Sequence, residues 1–407
     1  MKCNQESLRN RSWWKERGYH LPAFNRTAAI TAAIERPQWI HFGAGNIFRA
    51  FPAHAAQNLL EQGVTDRGLT AVEGFSPDIV RDIYRAHDNC FVLATLRSDG
   101  IIEKTVVGSI AETLLLDRSD KTDFHRLTGI FRSPSLQLAS FTITEKGYLT
   151  RDSSGAFLPG ILSDLNAGPQ KAESFLGKTA SLLVNRYEAG ALPIALVSMD
   201  NCSRNVSHLS AALTVFSKHW EAAGLAPPGF DAYLRNPGLV SFPWTMIDKI
   251  TPRPDTAVEQ LLAADGLEGM ELIGYTAPFV NAEETEYLVM EDDFPNGRPA
   301  FERAGFLMTD CRTVELAERM KVSACLNPLH TALAVFGCLL GYTRICEEMK
   351  DPNLNALVRG IGWRENLPAA SDPGILNPSS FLNTVLTVRL PNPFLPDSPQ
   401  RIATDTS

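Results

Sequence analysis

The chain is predicted to be an α/β protein. Strands alternate with helices around a mostly parallel sheet over residues 1–237, and a mainly helical domain follows over residues 238–407. Three observations lead there. Short apolar runs at 38–42, 69–72, 91–96, 136–144 and 193–198 are interleaved with helical patterns. A glycine-rich turn, Gly43-Ala44-Gly45, joins the first run to the first long helix. Beyond residue 237 the strand-like runs give way to helical patterns divided by proline-rich links.

Taken in order, Pro37 precedes the first strand and Gly63 closes a helix predicted over residues 46–62. The second strand, 69–72, carries Glu73 at its end. A helix over 172–189 leads into the strand at 193–198. Helices are then predicted at 255–264, 311–320, 328–340 and 353–361, with Thr251-Pro252-Arg253-Pro254 as one of the links.

Composition narrows the function classes. The 407 residues suffice for two domains, and 44% hydrophobic with 21% charged residues is a globular balance. With 38 basic against 46 acidic residues the net charge is −8, which argues against nucleic acid or an anionic membrane as partner. Seven scattered cysteines without a CxxC pair predict reduced thiols, no zinc ribbon and a cytoplasmic setting. The N-terminus lacks the apolar run of a signal peptide, and the most apolar stretch, residues 332–342, is too short to span a bilayer. Oligomeric state is not legible.

Gly43-Ala44-Gly45 between a strand and a helix lets the backbone approach a pyrophosphate, with Asn46, Ile47, Phe48 and Arg49 opening the helix whose amides would hold it. A Rossmann-like nucleotide domain follows from that context. The third glycine of the fingerprint is absent, with Phe48 in its place, and a plain tight turn is the alternative. Glu73 at the second strand's end suits both adenosine ribose hydroxyls and would repel a 2′-phosphate, favouring NAD. A solvated strand end is its other reading, and Asp78 is the second candidate.

Two polar clusters carry the chemistry. In the stretch 321–330, Lys321 supplies an amine, Asn327 an amide and His330 an imidazole, a set suited to moving an alcohol proton and stabilising an oxyanion without a metal. Asn327 before Pro328 could equally cap the helix, with His330 in its first turn. A lysine near its ordinary pKa of about 10.4 is a poor base at neutral pH, so Lys321 must be desolvated or else serve a surface ion pair. The other cluster, 198–205, follows a strand, where Asn201 could offer a second amide or simply make an Asx turn.

These stretches together resemble the polyol-specific long-chain dehydrogenase/reductase family. The resemblance rests on His-Phe-Gly-Ala-Gly-Asn-Ile-Phe-Arg-Ala at 41–50, Ser-Met-Asp-Asn at 198–201 and Phe-Pro-Trp-Thr-Met-Ile-Asp-Lys-Ile-Thr-Pro at 242–252. It continues with Glu-Asp-Asp-Phe-Pro-Asn-Gly-Arg-Pro at 291–299, Leu-Asn-Pro-Leu-His at 326–330 and Pro-Asn-Pro-Phe-Leu-Pro-Asp-Ser-Pro-Gln-Arg at 391–401. It implies a metal-independent, NAD-dependent enzyme with Lys321 as general base. Asn201 and Asn327 would form the oxyanion hole, and His330 would orient substrate oxygens. Asp248, Lys249 and Arg401 would lie on the substrate side.

The family's lysine usually stands five residues before its asparagine; here the separation is six. On an unbroken helix one extra residue turns a side chain by about 100°, so a break before Asn327 is expected. The family's pattern also runs on past residue 407, and the chain is expected to be incomplete at its C-terminus. The implied reaction interconverts D-fructuronate and D-mannonate, with Lys249, Arg253 and Arg401 as cations for the carboxylate. A neutral D-mannitol/D-fructose pair or tagaturonate is the alternative, and an inactive nucleotide- or sugar-binding chain is the reading from another class.

Overall fold

The computed structural model describes residues 1–404. Six parallel strands form the central sheet: Trp39–Phe42, Leu69–Glu73, Ile110–Leu115, Leu138–Phe141, Ile194–Ser198 and Val240–Ser241. Numbered along the chain they lie in the order 3-2-1-4-5-6, so the order reverses between Trp39–Phe42 and Leu138–Phe141.

Alternation along each strand divides the interior. Ile40, Phe42, Val72, Phe141, Ile194 and Leu196 point into a core closed by helices Lys121–Arg132, Phe175–Glu188 and Asn205–Ala222. Trp39, Ala71, Leu138, Ala195 and Val197 point the other way, against helix Pro52–Glu61. Both faces are buried, which is why these strands read as continuous apolar runs.

The predicted helix over 46–62 is two helices, Asn46–Ala50 and Pro52–Glu61. Pro52 has no amide hydrogen to give and excludes the helical conformation from the residue before it. Phe51 accordingly sits at φ −125°, ψ −70°, and the chain turns there.

Strand pairing does not stop at residue 237. Val240–Ser241 extends the central sheet, and Phe279–Glu283 pairs in parallel with Phe91–Leu96 in a second sheet that includes Ile102–Val107 and Tyr19–His20. The predicted division at 237/238 thus crosses hydrogen-bonded strands, because non-local pairing leaves no local mark in the chain. Thr245–Asp248, Tyr287–Glu291 and Leu307–Thr309 make a third, small sheet.

From Cys311 onward the chain is helical. Helices Cys311–Met320, Asn327–Leu340, Pro352–Gly360 and Pro378–Thr384 pack around Val314, Leu329, Leu333, Val358 and Phe381. The run Cys311–Leu340 is long and apolar enough to cross a membrane by length and composition. Here its inward residues are part of this core.

Candidate active site

Gly43 leaves the first strand with φ +102°, and a Cβ there would stand 2.2 Å from the Thr142 carbonyl oxygen. Only glycine allows that approach. Thr142 follows the fourth strand, so two loops meet where the strand order reverses. In an open sheet of this order a dinucleotide lies in that crevice. A Cβ on Gly45 would meet nothing within 4 Å, and helix Asn46–Ala50 has no side-chain cap among the described residues. Its first-turn amides are left for an outside acceptor, a donor set that fits a pyrophosphate.

Glu73 is buried beside this loop. Its carboxylate accepts hydrogen bonds from the amides of Phe75 at 2.7 Å, Ser76 at 3.2 Å and Ala44 at 3.3 Å. A carboxylate has about four lone-pair directions, so Glu73 can brace the loop and still meet a ribose hydroxyl. Asp78 is exposed and paired with Arg81 at 2.7 Å.

The side chains of two residues that open this helix turn into the protein. Arg49 is fully buried and donates to the Ala277 carbonyl at 2.5 Å, the Thr276 hydroxyl at 2.6 Å and Asn46 Oδ1 at 2.8 Å. Phe48 stacks on His41 at 4.2 Å inside the core. Position 48 faces the sheet, where a third glycine would let helix and strand close up; a ring fills the gap instead. His41 is held by Ser140 Oγ at 2.6 Å and Thr142 Oγ1 at 2.9 Å, and burial pushes its pKa down to about 3. It is a neutral strut for the loop.

At the same edge of the sheet, beyond Ile194–Ser198, the exposed Asn201 meets Lys321 from the helical part. Lys321 is only 5% exposed. Its Nζ donates to Asn201 Oδ1 at 2.8 Å and the Ile247 carbonyl at 2.8 Å, and stands 3.2 Å from Asp248 Oδ1. Each of its three donors has an acceptor. With Oδ1 turned to Lys321, the Asn201 amide nitrogen has no partner among the described residues and can donate outward.

The backbone explains how Lys321 is aimed. Residues Lys321–Cys325 form a π-helical turn, closed by the Leu326 amide on the Lys321 carbonyl at 3.1 Å. Such a turn bonds five residues apart and holds one more residue than an α turn. The six-residue separation from Asn327 is absorbed there, and the rotation of an unbroken helix does not arise.

Behind Asp248 lies a cluster that the sequence did not disclose. Arg389 donates to Asp248 Oδ2 at 2.8 Å and grips Glu283 at 2.9 and 2.7 Å, all three residues buried. Burial pushes Asp248 up, but Lys321 and Arg389 together outweigh it and hold its carboxyl below the ordinary value. For Glu283 burial prevails over Arg389 and the carboxyl is raised. For Arg389 burial is outweighed by its two carboxylates and the guanidinium is raised.

His330 Nε2 is buried without a hydrogen-bond partner among the described residues, 4.0 Å from Asp397 Oδ2. Burial lowers its proton affinity; Asp397 opposes this, Arg389 adds to it, Asp248 opposes and Arg401 adds. The ring is therefore neutral, with a free nitrogen, in the field of the Asp248–Arg389 cluster.

The remaining expected residues are more dispersed. Asn327 is exposed; Leu326 occupies the cap position, and the Asn327 side chain makes no hydrogen bond among the described residues. No direct bond ties Asn327 or His330 to Lys321 there. Lys249 donates to the Glu283 carbonyl at 2.6 Å and to Glu286 at 2.9 Å. Arg401 is exposed and pairs with Asp397 at 2.7 Å, and Arg253 lies over the Tyr275 ring at 5.1 Å.

Comparison with known proteins gives a consistent picture. A family model for the mannitol dehydrogenase Rossmann domain matches residues 37–303. The chain is 48% identical over 414 residues to the D-mannonate oxidoreductase of Thermotoga maritima, covering 100% of this chain and 76% of that protein. Among solved structures, a substrate-free D-sorbitol dehydrogenase aligns with TM-score 0.81 and 26% identity, over 95% of this chain and 75% of that one. A Pseudomonas fluorescens mannitol 2-dehydrogenase, in ternary complex with NAD and D-mannitol, aligns with TM-score 0.77 and 29% identity, over 99% and 76%.

Proposed function

The chain belongs to the mannitol dehydrogenase family, and on that premise we propose that it is an NAD-dependent oxidoreductase of the cytoplasm interconverting D-fructuronate and D-mannonate. The observation that carries this reading is the 2.8 Å contact between Lys321 Nζ and Asn201 Oδ1, at the sheet edge that also bears the glycine loop. The choice of a sugar acid over a neutral polyol rests on the 48% identity to a D-mannonate oxidoreductase.

The loop 43–49 would hold NAD(H), with Glu73 at its ribose, and the bound nicotinamide would supply hydride exchange with the substrate carbon. The protein's residues handle the oxygen. In reduction, the substrate's carbonyl oxygen replaces one of the three acceptors at Lys321 Nζ and takes that proton from the ammonium; in oxidation the amine takes the hydroxyl proton back. The free amide nitrogen of Asn201 donates to the oxygen while it carries charge, and Asn327 is the second donor proposed for it. His330, neutral and unpartnered at Nε2, hydrogen-bonds a neighbouring hydroxyl. Asp248 steadies the Lys321 ammonium from the interior. Lys249 and Arg401 are proposed on the substrate side, Arg401 being the cation with an exposed side chain.

The test is direct. NADH oxidation by purified protein should be faster with D-fructuronate than with D-fructose; faster turnover of fructose would overturn the sugar-acid assignment. The Glu73 reading has its own check. Glu73→Ala should narrow the preference for NADH over NADPH, measured as the ratio of kcat/KM values, because the carboxylate that repels a 2′-phosphate is gone. An unchanged ratio would leave Glu73 as a loop brace only.

A further inference from the structure

The N-terminal segment closes a cleft against helix Pro52–Glu61, and none of the cleft's lining residues is among those assigned above. It measures about 460 Å³, within the size range of ligand sites, and Arg11, Lys15, His20, His54, Gln57 and Glu61 line it. We propose that this cleft binds a small, multiply charged anion of the phosphate or polycarboxylate class.

Charge is the first argument. In a chain of net charge −8, two permanent cations and two imidazoles converge on one cleft, with Glu61 the single carboxylate among its lining residues. Arg11 and Lys15 stand four residues apart on helix Arg11–Glu16, so they share a face. The neighbouring charges do not neutralise them. Lys104 pairs with Asp265 at 2.7 Å, and Arg17 faces Glu16 at 3.9 Å.

Unused hydrogen-bonding capacity is the second. Among the described residues the side chains of Lys15, His20 and His54 make no hydrogen bond, and Arg11 gives only one, to the Pro22 carbonyl at 3.1 Å. Glu61 already accepts from the Ala23 amide at 3.3 Å. Gln57 is fixed by its bonds to Val106 and Gly108 and makes a rigid floor. Burial lowers the proton affinity of His54, the Glu286 charge opposing this and Lys249 adding to it, so that ring offers an N–H without adding charge. Two cations and the His54 N–H in one cleft match the oxygens of a tetrahedral or carboxylate anion.

Calorimetric titration of the full chain with inorganic phosphate, at constant ionic strength against a chloride control, tests this. With saturating NADH present to occupy the glycine loop, one site is expected. Lys15→Glu and Arg11→Glu should each weaken it about tenfold or more, the size of one lost charge-assisted contact, while Lys15→Arg preserves it. Both residues are exposed, so circular dichroism of the variants should match the parent. A parallel titration with citrate tells the phosphate class from the polycarboxylate class. Binding no stronger than that of chloride, or binding that survives both charge reversals, would overturn the assignment.

Discussion

Lys321→Ala should lower kcat by on the order of 10²–10⁴, the usual contribution of a positioned proton-transfer group. Truncation removes the group proposed to exchange the proton with the substrate oxygen. The fold should survive, because Asp248 keeps its 2.8 Å partner Arg389 when the ammonium is gone. Binding of NADH should change little, since the glycine loop belongs to other strands and shares no hydrogen bond with Lys321. Steady-state rates with D-fructuronate, set beside a fluorescence titration with NADH, separate the two effects. An undiminished rate would remove Lys321 from the chemistry, and the mechanism with it.

Arg389→Met should instead act on stability, costing about 3–5 kcal/mol, the penalty for leaving buried charge uncompensated. Asp248 and Glu283 are 3% and 1% exposed, so neither can turn to water when the guanidinium is lost. Urea unfolding at pH 7 reads the loss directly. The deficit should shrink as pH falls. Glu283, whose carboxyl burial already raises, loses the guanidinium that opposed this, so its folded-state proton affinity stands further above that of the unfolded chain. Acid neutralises it and relieves the strain, while Asp248 retains Lys321 at 3.2 Å. Arg389→Lys, which keeps the charge but not the two-pronged grip, should lose less. An unfolding midpoint that stays at the parent value would show that the cluster holds nothing together.

The two variants fail in different ways because one position is read by substrate and the other by the protein interior. How far each was legible in the sequence differs for the same reason. Asn201 and Gly43 sit in local patterns, a strand end and a glycine turn, whose geometry follows from neighbours along the chain. The role expected of Lys321 came instead from the resemblance, and its aim depends on the wide turn Lys321–Cys325. The strands bearing the crevice were legible too, since both of their faces are buried and they read as unbroken apolar runs.

The rest depended on distance along the chain. Arg389 lies 106 residues from Glu283 and 141 from Asp248, so nothing nearby marks it as their shared partner. The strand Phe279–Glu283 joins Phe91–Leu96 across a wider gap still, which is why a division at residue 237 falls across paired strands. Phe48 and Arg49 were read as part of a nucleotide motif, but a motif specifies the backbone path and leaves side-chain direction to packing. The break at Pro52 was in plain sight; the apolar periodicity running through it outweighed the proline.

The wide turn at 321–325 has a consequence for recognising other chains of this kind. The six-residue separation of Lys321 from Asn327 is accommodated inside a single loop of helix, with the amine held on Asn201, Ile247 and Asp248. Pattern searches that fix the gap between lysine and asparagine would pass over such chains. A search keyed to the spatial triangle of lysine, asparagine and aspartate would retain them, because that triangle is indifferent to how many residues the turn contains.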